Sequence, residues 1–288
     1  MISRGYFTIA QGELYQRAAY ALALSLKISQ PAGLSRLSIG VTSAELKSIN
    51  PRYAQAFDEI VEIPWKDHAE KSEWKLENEW KAIHMTPYDE TIKLDADMLF
   101  PENVGEWWAA LSRSEGVFAT KPLTYRGEII TSDFYRKTFT ENDLPNIYTA
   151  MFYFKKTAAN FELFKLAEEI FSNWERYFYE LLLPEHRPKF VSTDVVFALA
   201  AQLLDYQQHN RLPSVNLPTF VHMKSQLQGW PSDQYMIEDW TKMIRGYFGR
   251  DCSLTIGNYR QHVPFHYQVK SFPTDRMILV MEKKLGIS

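Results

Sequence analysis

The amino-acid sequence predicts an α/β fold, a mostly parallel central sheet flanked by helices with an aromatic and basic C-terminal extension. Three observations carry this. Strand and helix signals alternate through the first hundred residues. The links between the apolar, β-rich runs are long enough for the right-handed crossovers that parallel strands need. A content of 45% apolar and 15% aromatic residues, with only 12 glycines in 288, excludes disordered, fibrous and collagen-like chains.

Gly5–Ala10 is an apolar run that reads as the first strand, and Gln11-Gly12 turns the chain into a helix from Glu13 to about Ile28. Tyr15, Ala18, Leu22 and Leu26 recur there at three-to-four spacing, the period of a stripe facing a core. Pro31-Ala32-Gly33 stops it. Leu37–Thr42 and Phe57–Ile63, the latter closed by Pro64, read as the second and third strands. A polar stretch with Trp65, Trp74 and Trp80 leads into a short helix from about Glu77 to Met85, ended before Pro87. Glu90–Leu94 is the fourth strand and delivers Asp95-Ala96-Asp97 at its carboxyl end. Further on, Ile147–Phe154 reads as an aromatic strand and Phe161–Leu183 as one long helix. Thr193–Tyr206 follows as a helix capped by Ser192 or Thr193, then Phe220–Met223 as a short strand and Met277–Leu285 as a terminal helix.

Ligands of open parallel sheets lie beyond the carboxyl ends of the strands. Ala10-Gln11-Gly12 and Asp95–Asp97 both occupy such ends, so they can converge across the 85 residues between them. Two carboxylates separated by one small residue, leaving a buried strand, can face one hard cation such as Mg²⁺ or Mn²⁺. That ion would offset charge building up on a departing diphosphate. The same letters also spell an ordinary acidic turn. Other chemistries find little support. The single cysteine, Cys252, excludes an internal disulfide or a thiolate cluster. Gly-x-Gly-x-x-Gly, the Walker lysine motif and the Gly-x-Ser-x-Gly elbow are all missing from the sequence.

At Leu94-Asp95-Ala96-Asp97-Met98-Leu99 the sequence resembles nucleotide-sugar glycosyltransferases of the GT-A fold, in particular the Leu-Asp-Ala-Asp form of glycogenin-like enzymes. The resemblance implies that Asp95 and Asp97 bind ribose and metal. Phe7-Thr8-Ile9-Ala10 resembles the opening strand of those enzymes, so Thr8, Ala10 and Gln11 become nucleotide-contact candidates. Lys81 resembles a basic residue that reaches the donor diphosphate. Phe220-Val221-His222-Met223-Lys224, with Gly229-Trp230 behind, is similar to the late segment in which a histidine completes the metal site. His222 is thereby the implied third ligand and Lys224 a charge on the diphosphate, although a histidine among apolar neighbours also suits a core. The chain departs from the family at Tyr148-Thr149-Ala150-Met151, where Asn-Ser-Gly is usual, and at Thr193-Asp194-Val195, where Asp-Gln is usual. Asp194 is the candidate for contacting donor sugar or acceptor, or else stabilises its helix start. Residues 1–234 are expected to form the GT-A core, with 1–100 its nucleotide-binding half and 101–234 its acceptor half. Residues 235–288 are expected as an extension packed on it.

The formal net charge is −3, which disfavours a globally basic nucleic-acid binder. Charge is uneven, however: residues 235–288 carry +3, leaving −6 before them. Tyr247, Phe248, Arg250, Tyr259, Arg260, His262, His266, Tyr267 and Lys270 interleave cations with rings, a mixture that can grip a phosphate backbone and stack on bases. It equally describes a packed, mildly basic tail. Neither a secretory signal nor an apolar stretch of spanning length is evident, so a cytoplasmic protein is expected, in the host cytoplasm if phage-encoded. That compactness looks like bacteriophage-type glycosyltransferases. The leading expectation is transfer from a nucleotide-sugar, UDP favoured, to a hydroxyl acceptor with Mn²⁺ or Mg²⁺, the first acceptor candidate being 5-hydroxymethylcytosine in phage DNA. A carbohydrate or protein hydroxyl, nucleotidyl transfer, or a non-catalytic nucleotide- or sugar-binding module are the alternatives.

Overall fold

The computed structural model describes residues 2–70, 76–130, 133–206, 216–223 and 239–287, with backbone alone for 133–135. Trp74, Lys224, Gly229 and Trp230 lie outside the described residues.

The chain runs β1 (Arg4–Ile9), α1 (Glu13–Ser29), β2 (Leu37–Val41), α2 (Ser43–Ser48), α3 (Pro51–Ala54) and β3 (Ile60–Glu62). A 3₁₀ turn at Glu79–Lys81 enters α4 (Ala82–Met85), then come β4 (Glu90–Leu94), β5 (Met98–Leu99), α5 (Trp107–Leu111), β6 (Gly116–Ala119) and α6 (Asp133–Glu141). β7 (Tyr148–Lys155), α7 (Ala158–Ser172), α8 (Trp174–Leu181) and α9 (Thr193–Leu203) follow. The remainder is β8 (Val221–His222), β9 (Gly246–Phe248), β10 (Leu254–Ile256), β11 (Tyr259–Arg260), β12 (Phe265–His266) and a C-terminal helix, Asp275–Leu285.

The main sheet has the order β3-β2-β1-β4-β7-β6. Its first four strands are parallel, as expected from the alternating signals. β7 then runs antiparallel to β4, and β6 antiparallel to β7. Strand alternation sorts side chains to two covered faces. Tyr6, Ile92, Leu94, Met151 and Tyr153 join the core under α1 and the C-terminal helix, whereas Phe7, Phe118, Phe152 and Phe154 join the core under α4, α7 and α9. Gly12 occupies the β1–α1 turn at φ 93°, a backbone region that glycine enters without a Cβ penalty.

Several expected boundaries change. The helix expected over Phe161–Leu183 is two helices, because Asn173 leaves helical geometry at φ −129°, ψ 30°. Phe57 is buried in the turn before β3 rather than on a strand, and β6, α5 and α6 had no clear periodic signal. Within residues 246–270, β9, β10 and β11 form one small sheet, and β12 joins β5 and β8 in another.

The C-terminal helix is capped by Thr274, whose hydroxyl accepts from Met277 N, and ends at left-handed Gly286. Glu282 fastens it to α1 and α3: Arg52 donates to both carboxylate oxygens at 2.6 Å, and Tyr20 Oη donates at 2.6 Å. The Arg52 hydrogen bonds hold the Glu282 carboxyl below its ordinary range against the opposing effect of burial. A depressed carboxyl contributes stability that is present above its unfolded pKa and lost as pH falls through the folded value. Glu282→Gln is therefore expected to lower the urea midpoint at neutral pH, and its deficit to shrink below about pH 4.

Candidate active site

β4 ends at Leu94, and the backbone N–H of Asp95 donates to Ala150 O on β7 at 3.0 Å, so the acidic turn starts from a paired edge. Asp97 then leads directly into β5. β5 pairs antiparallel with β12, setting His266 opposite Met98, and β12 pairs parallel with β8, setting His222 beside His266. This three-stranded sheet thus brings a residue 169 positions downstream onto the carboxylates. His266 Nε2 lies 3.2 Å from Asp97 Oδ2 and 3.6 Å from Asp95 Oδ2. Ligand atoms of Asp95, Asp97 and His266 all fall within 4.8 Å of one another.

His222, the histidine expected to complete this cluster, stands behind it. Its ring stacks on His266 with centroids 5.1 Å apart at 29°, and its edge meets Tyr148. Burial, then the neighbouring His266 and Arg136, push its pKa well below the ordinary value, so the ring is neutral. Its Nδ1 is buried and has no hydrogen-bond partner among the described residues, as is true of His266 Nδ1 and Thr8 Oγ1. Such atoms forfeit roughly 1–3 kcal/mol each unless a ligand or water serves them.

Lysines surround the acids. Lys270 Nζ lies 2.5 Å from Asp97 Oδ2. Burial alone would raise the Asp97 pKa, but His266 and Lys270 override it and hold this carboxyl far below its ordinary range. Lys93 sits on β4 with its side chain on the face shared by Phe7 and Phe152, where a bare ammonium would be costly. It is neutralised by a close contact with Glu79 and by Asp95 Oδ1 at 3.0 Å, and it also donates to Thr149 O at 3.3 Å. Desolvation opposes its charge, yet the two carboxylates raise its pKa. Glu79 is pushed up to about 7, first by burial and further by Asp95, with Lys93 pulling the other way.

The other expected residues are placed as follows. Thr8 and Ala10 are buried at the carboxyl end of β1. Gln11 donates to Asp67 Oδ2 and accepts from Asn78 Nδ2, both at 2.9 Å, which locks it to the loop after β3. Lys81 is buried with its Nζ on Lys66 O at 2.5 Å, so it braces that loop from inside rather than facing the acids. Asp194 accepts from Thr149 N at 2.9 Å and Oγ1 at 2.7 Å, and pairs with Arg136 at 3.0 Å. It ties the start of α9 to the start of β7. Arg136 also lies 3.4 Å over the Tyr148 ring, which in turn touches His222.

From sequence, His266 and Lys270 belong to a basic, aromatic face and not to this cluster, and Lys93, Glu79 and Arg136 carry no assignment to it. Pro264-Phe265-His266-Tyr267 sets a histidine between two rings in a short apolar run, a local signal for a strand that does not say which group His266 faces.

A hard divalent ion fits this donor set of two carboxylates and one imidazole, with the acids anchored on paired strands. Lys270 already neutralises Asp97, so a bound ion would have to displace its ammonium.

No protein-family model matches the sequence, and no curated protein matches it. Similar solved structures include the galactosyltransferase LgtC in complex with donor and acceptor sugar analogs, at 12% identity, 98% of this chain and 94% of that chain covered, TM-score 0.48. Mouse xyloside xylosyltransferase 1 in its apo form is similar at 11% identity, with 70% and 82% covered and TM-score 0.42. The glycosyltransferase GlyE of Streptococcus pneumoniae TIGR4 is similar at 11% identity, with 72% and 44% covered and TM-score 0.41.

Proposed function

We propose that the chain is a glycosyltransferase that moves a sugar from a nucleotide-sugar, UDP-sugar favoured, to a hydroxyl acceptor. One observation carries the reading: Asp95, Asp97 and His266 converge at the carboxyl end of the parallel strands, where such folds bind ligands. In this reading Asp95, Asp97 and His266 would hold Mn²⁺ or Mg²⁺, which supplies positive charge to the leaving diphosphate. His222 buttresses the His266 ring by stacking. Thr8, Ala10 and Gln11 line the nucleotide end, and Lys270, freed from Asp97, turns to a phosphate oxygen. Arg136 and Asp194 would position Tyr148 and Thr149, at the start of β7, beneath the sugar. Lys224 lies outside the described residues and keeps only its sequence-based assignment to the diphosphate. Among the described residues no helix is long and apolar enough to cross a membrane.

The Lys270–Asp97 contact favours one second reading, a metal-independent enzyme in which this ammonium itself meets the diphosphate. Lys270→Met separates the two. If an ion binds at Asp97, removing its competitor is expected to raise Mn²⁺ affinity about tenfold by calorimetry. If lysine replaces the ion, the variant loses turnover and Mn²⁺ changes nothing.

For the acceptor, duplex DNA containing 5-hydroxymethylcytosine loses several of the cations that recommended it. His266 and Lys270 face the carboxylates, while Arg260 and His262 pair with Glu102. A carbohydrate hydroxyl needs no basic face and is the acceptor we favour. The reading is tested by a panel of nucleotide-sugars scored for released nucleoside diphosphate, with hydroxymethylated duplex, oligosaccharides or water as acceptor. Pyrophosphate from a nucleoside triphosphate would instead mark nucleotidyl transfer. Donor binding without any release would mark a binding module.

A further inference from the structure

After β3, Pro64 leads to Trp65, whose backbone adopts the left-handed conformation at φ 58°. Bulky residues enter that region only when their surroundings hold them there, and such strain gathers at functional positions. Here it presents one of the largest apolar side chains to solvent, 65% exposed. The ring is nonetheless fixed. Trp80 lies parallel to it at 5.8 Å and 7°, and His84 stands edge-on at 5.2 Å and 76°. Phe161 on α7 reaches His84 at 5.6 Å and forms the opposite wall.

Between them is a groove of about 450 Å³ lined by Trp65, His84, Phe161, Lys165 and Glu168. Its volume suits a small ligand. It shares no lining residue with the carboxylate cluster.

We propose that this groove is a carbohydrate-binding site that seats a neutral sugar ring of an oligosaccharide on the face of Trp65. The C–H face of a pyranose is apolar and slightly electropositive, and it complements the electron-rich face of an indole. Sugar hydroxyls need both donors and acceptors at the rim. Lys165 donates, Glu168 accepts, and neither has a hydrogen-bond or ion-pair partner among the described residues. The His84 imidazole offers one of each in its neutral form, and desolvation lowers its pKa. One lysine and one glutamate cancel, which disfavours an anionic ligand such as a nucleotide. The rigid, pre-oriented rings lower the ordering cost of binding. The inference stands on the groove alone and does not depend on the transfer reaction.

The test uses the full chain and three probes, cellopentaose, maltopentaose and N-acetylchitopentaose, with UMP as control. Binding is read by tryptophan fluorescence and saturation-transfer NMR. At least one pentasaccharide is expected to bind with a Kd of about 1 mM or tighter. Trp65→Ala is expected to weaken it about tenfold or more, and Trp65→Phe to retain most of it. Glu168→Gln should weaken it severalfold. Affinity for UDP with Mn²⁺ should be the same in all four proteins, so loss of UDP binding in the unaltered chain would count against the transfer reaction and not against the groove. Failure of all three saccharides, saccharide binding unchanged in Trp65→Ala, or UMP occupying the groove instead would each overturn the proposal.

Discussion

An Asp97→Asn protein is expected to release nucleoside diphosphate from its donor about 10²–10³-fold more slowly, the usual cost of removing one preorganised charge at a reacting diphosphate. The substitution is nearly isosteric. Asp97 is buried and stands between His266 at 3.2 Å and Lys270 at 2.5 Å. Asparagine keeps the volume but removes the charge that the Lys270 ammonium and a divalent ion compete for. Calorimetry with UDP, run with and without Mn²⁺, should then lose the metal-dependent part of the affinity while near-ultraviolet circular dichroism stays native. Metal-dependent UDP affinity equal to that of the parent chain would refute the assignment of Asp97.

The second large effect is on stability. Lys93→Met strips the cation from a buried site that holds Glu79 and Asp95, and breaking such a pair costs about 3–5 kcal/mol. The pH dependence has a definite sign. Glu79 is already pushed up to about 7 by burial with the lysine present. Without it the folded state binds a proton that the unfolded chain releases near its ordinary carboxyl pKa, so stability falls as pH rises from about 4.5 upward. Urea midpoints of the variant should therefore decline from pH 5 to pH 8 more steeply than those of the parent. Adding Glu79→Gln should restore part of the loss and flatten the profile. An equal midpoint for Lys93→Met and parent at pH 8 would show that the three groups are not coupled as described.

Lys93 also shows how much of the site was readable in advance. Ile92-Lys93-Leu94 reads as a strand with one polar tooth, and only the sheet order reveals that this tooth is buried between Phe7 and Phe152. Its partner Glu79 lies in the short helix expected from about Glu77 to Met85, in a 3₁₀ turn, and nothing local says that its carboxylate meets Lys93. Asp95 and Asp97 were legible because both the strand and the acidic spacing are local. His222 was singled out by the resemblance of Phe220-Val221-His222-Met223-Lys224 to a late histidine segment, and no local property says that His266, rather than His222, meets the acids. The resemblance assigned Lys81 to the donor diphosphate, and sequence alone does not show that its ammonium meets Lys66 O in this structure.

By itself the sequence determined the four parallel strands, the crossover helix α1, and a pair of carboxylates at a strand's carboxyl end. These depend on short-range spacing, which one stretch of chain expresses alone. Only the tertiary structure decided that β7 and β6 turn antiparallel, and that β5, β8 and β12 form a separate sheet. It alone placed His266 and Lys270, from a segment read as a basic tail, against Asp97. Strand pairing between distant segments is set by whole-sheet hydrogen bonding and two-sided burial, and neither quantity exists until the chain has closed on itself.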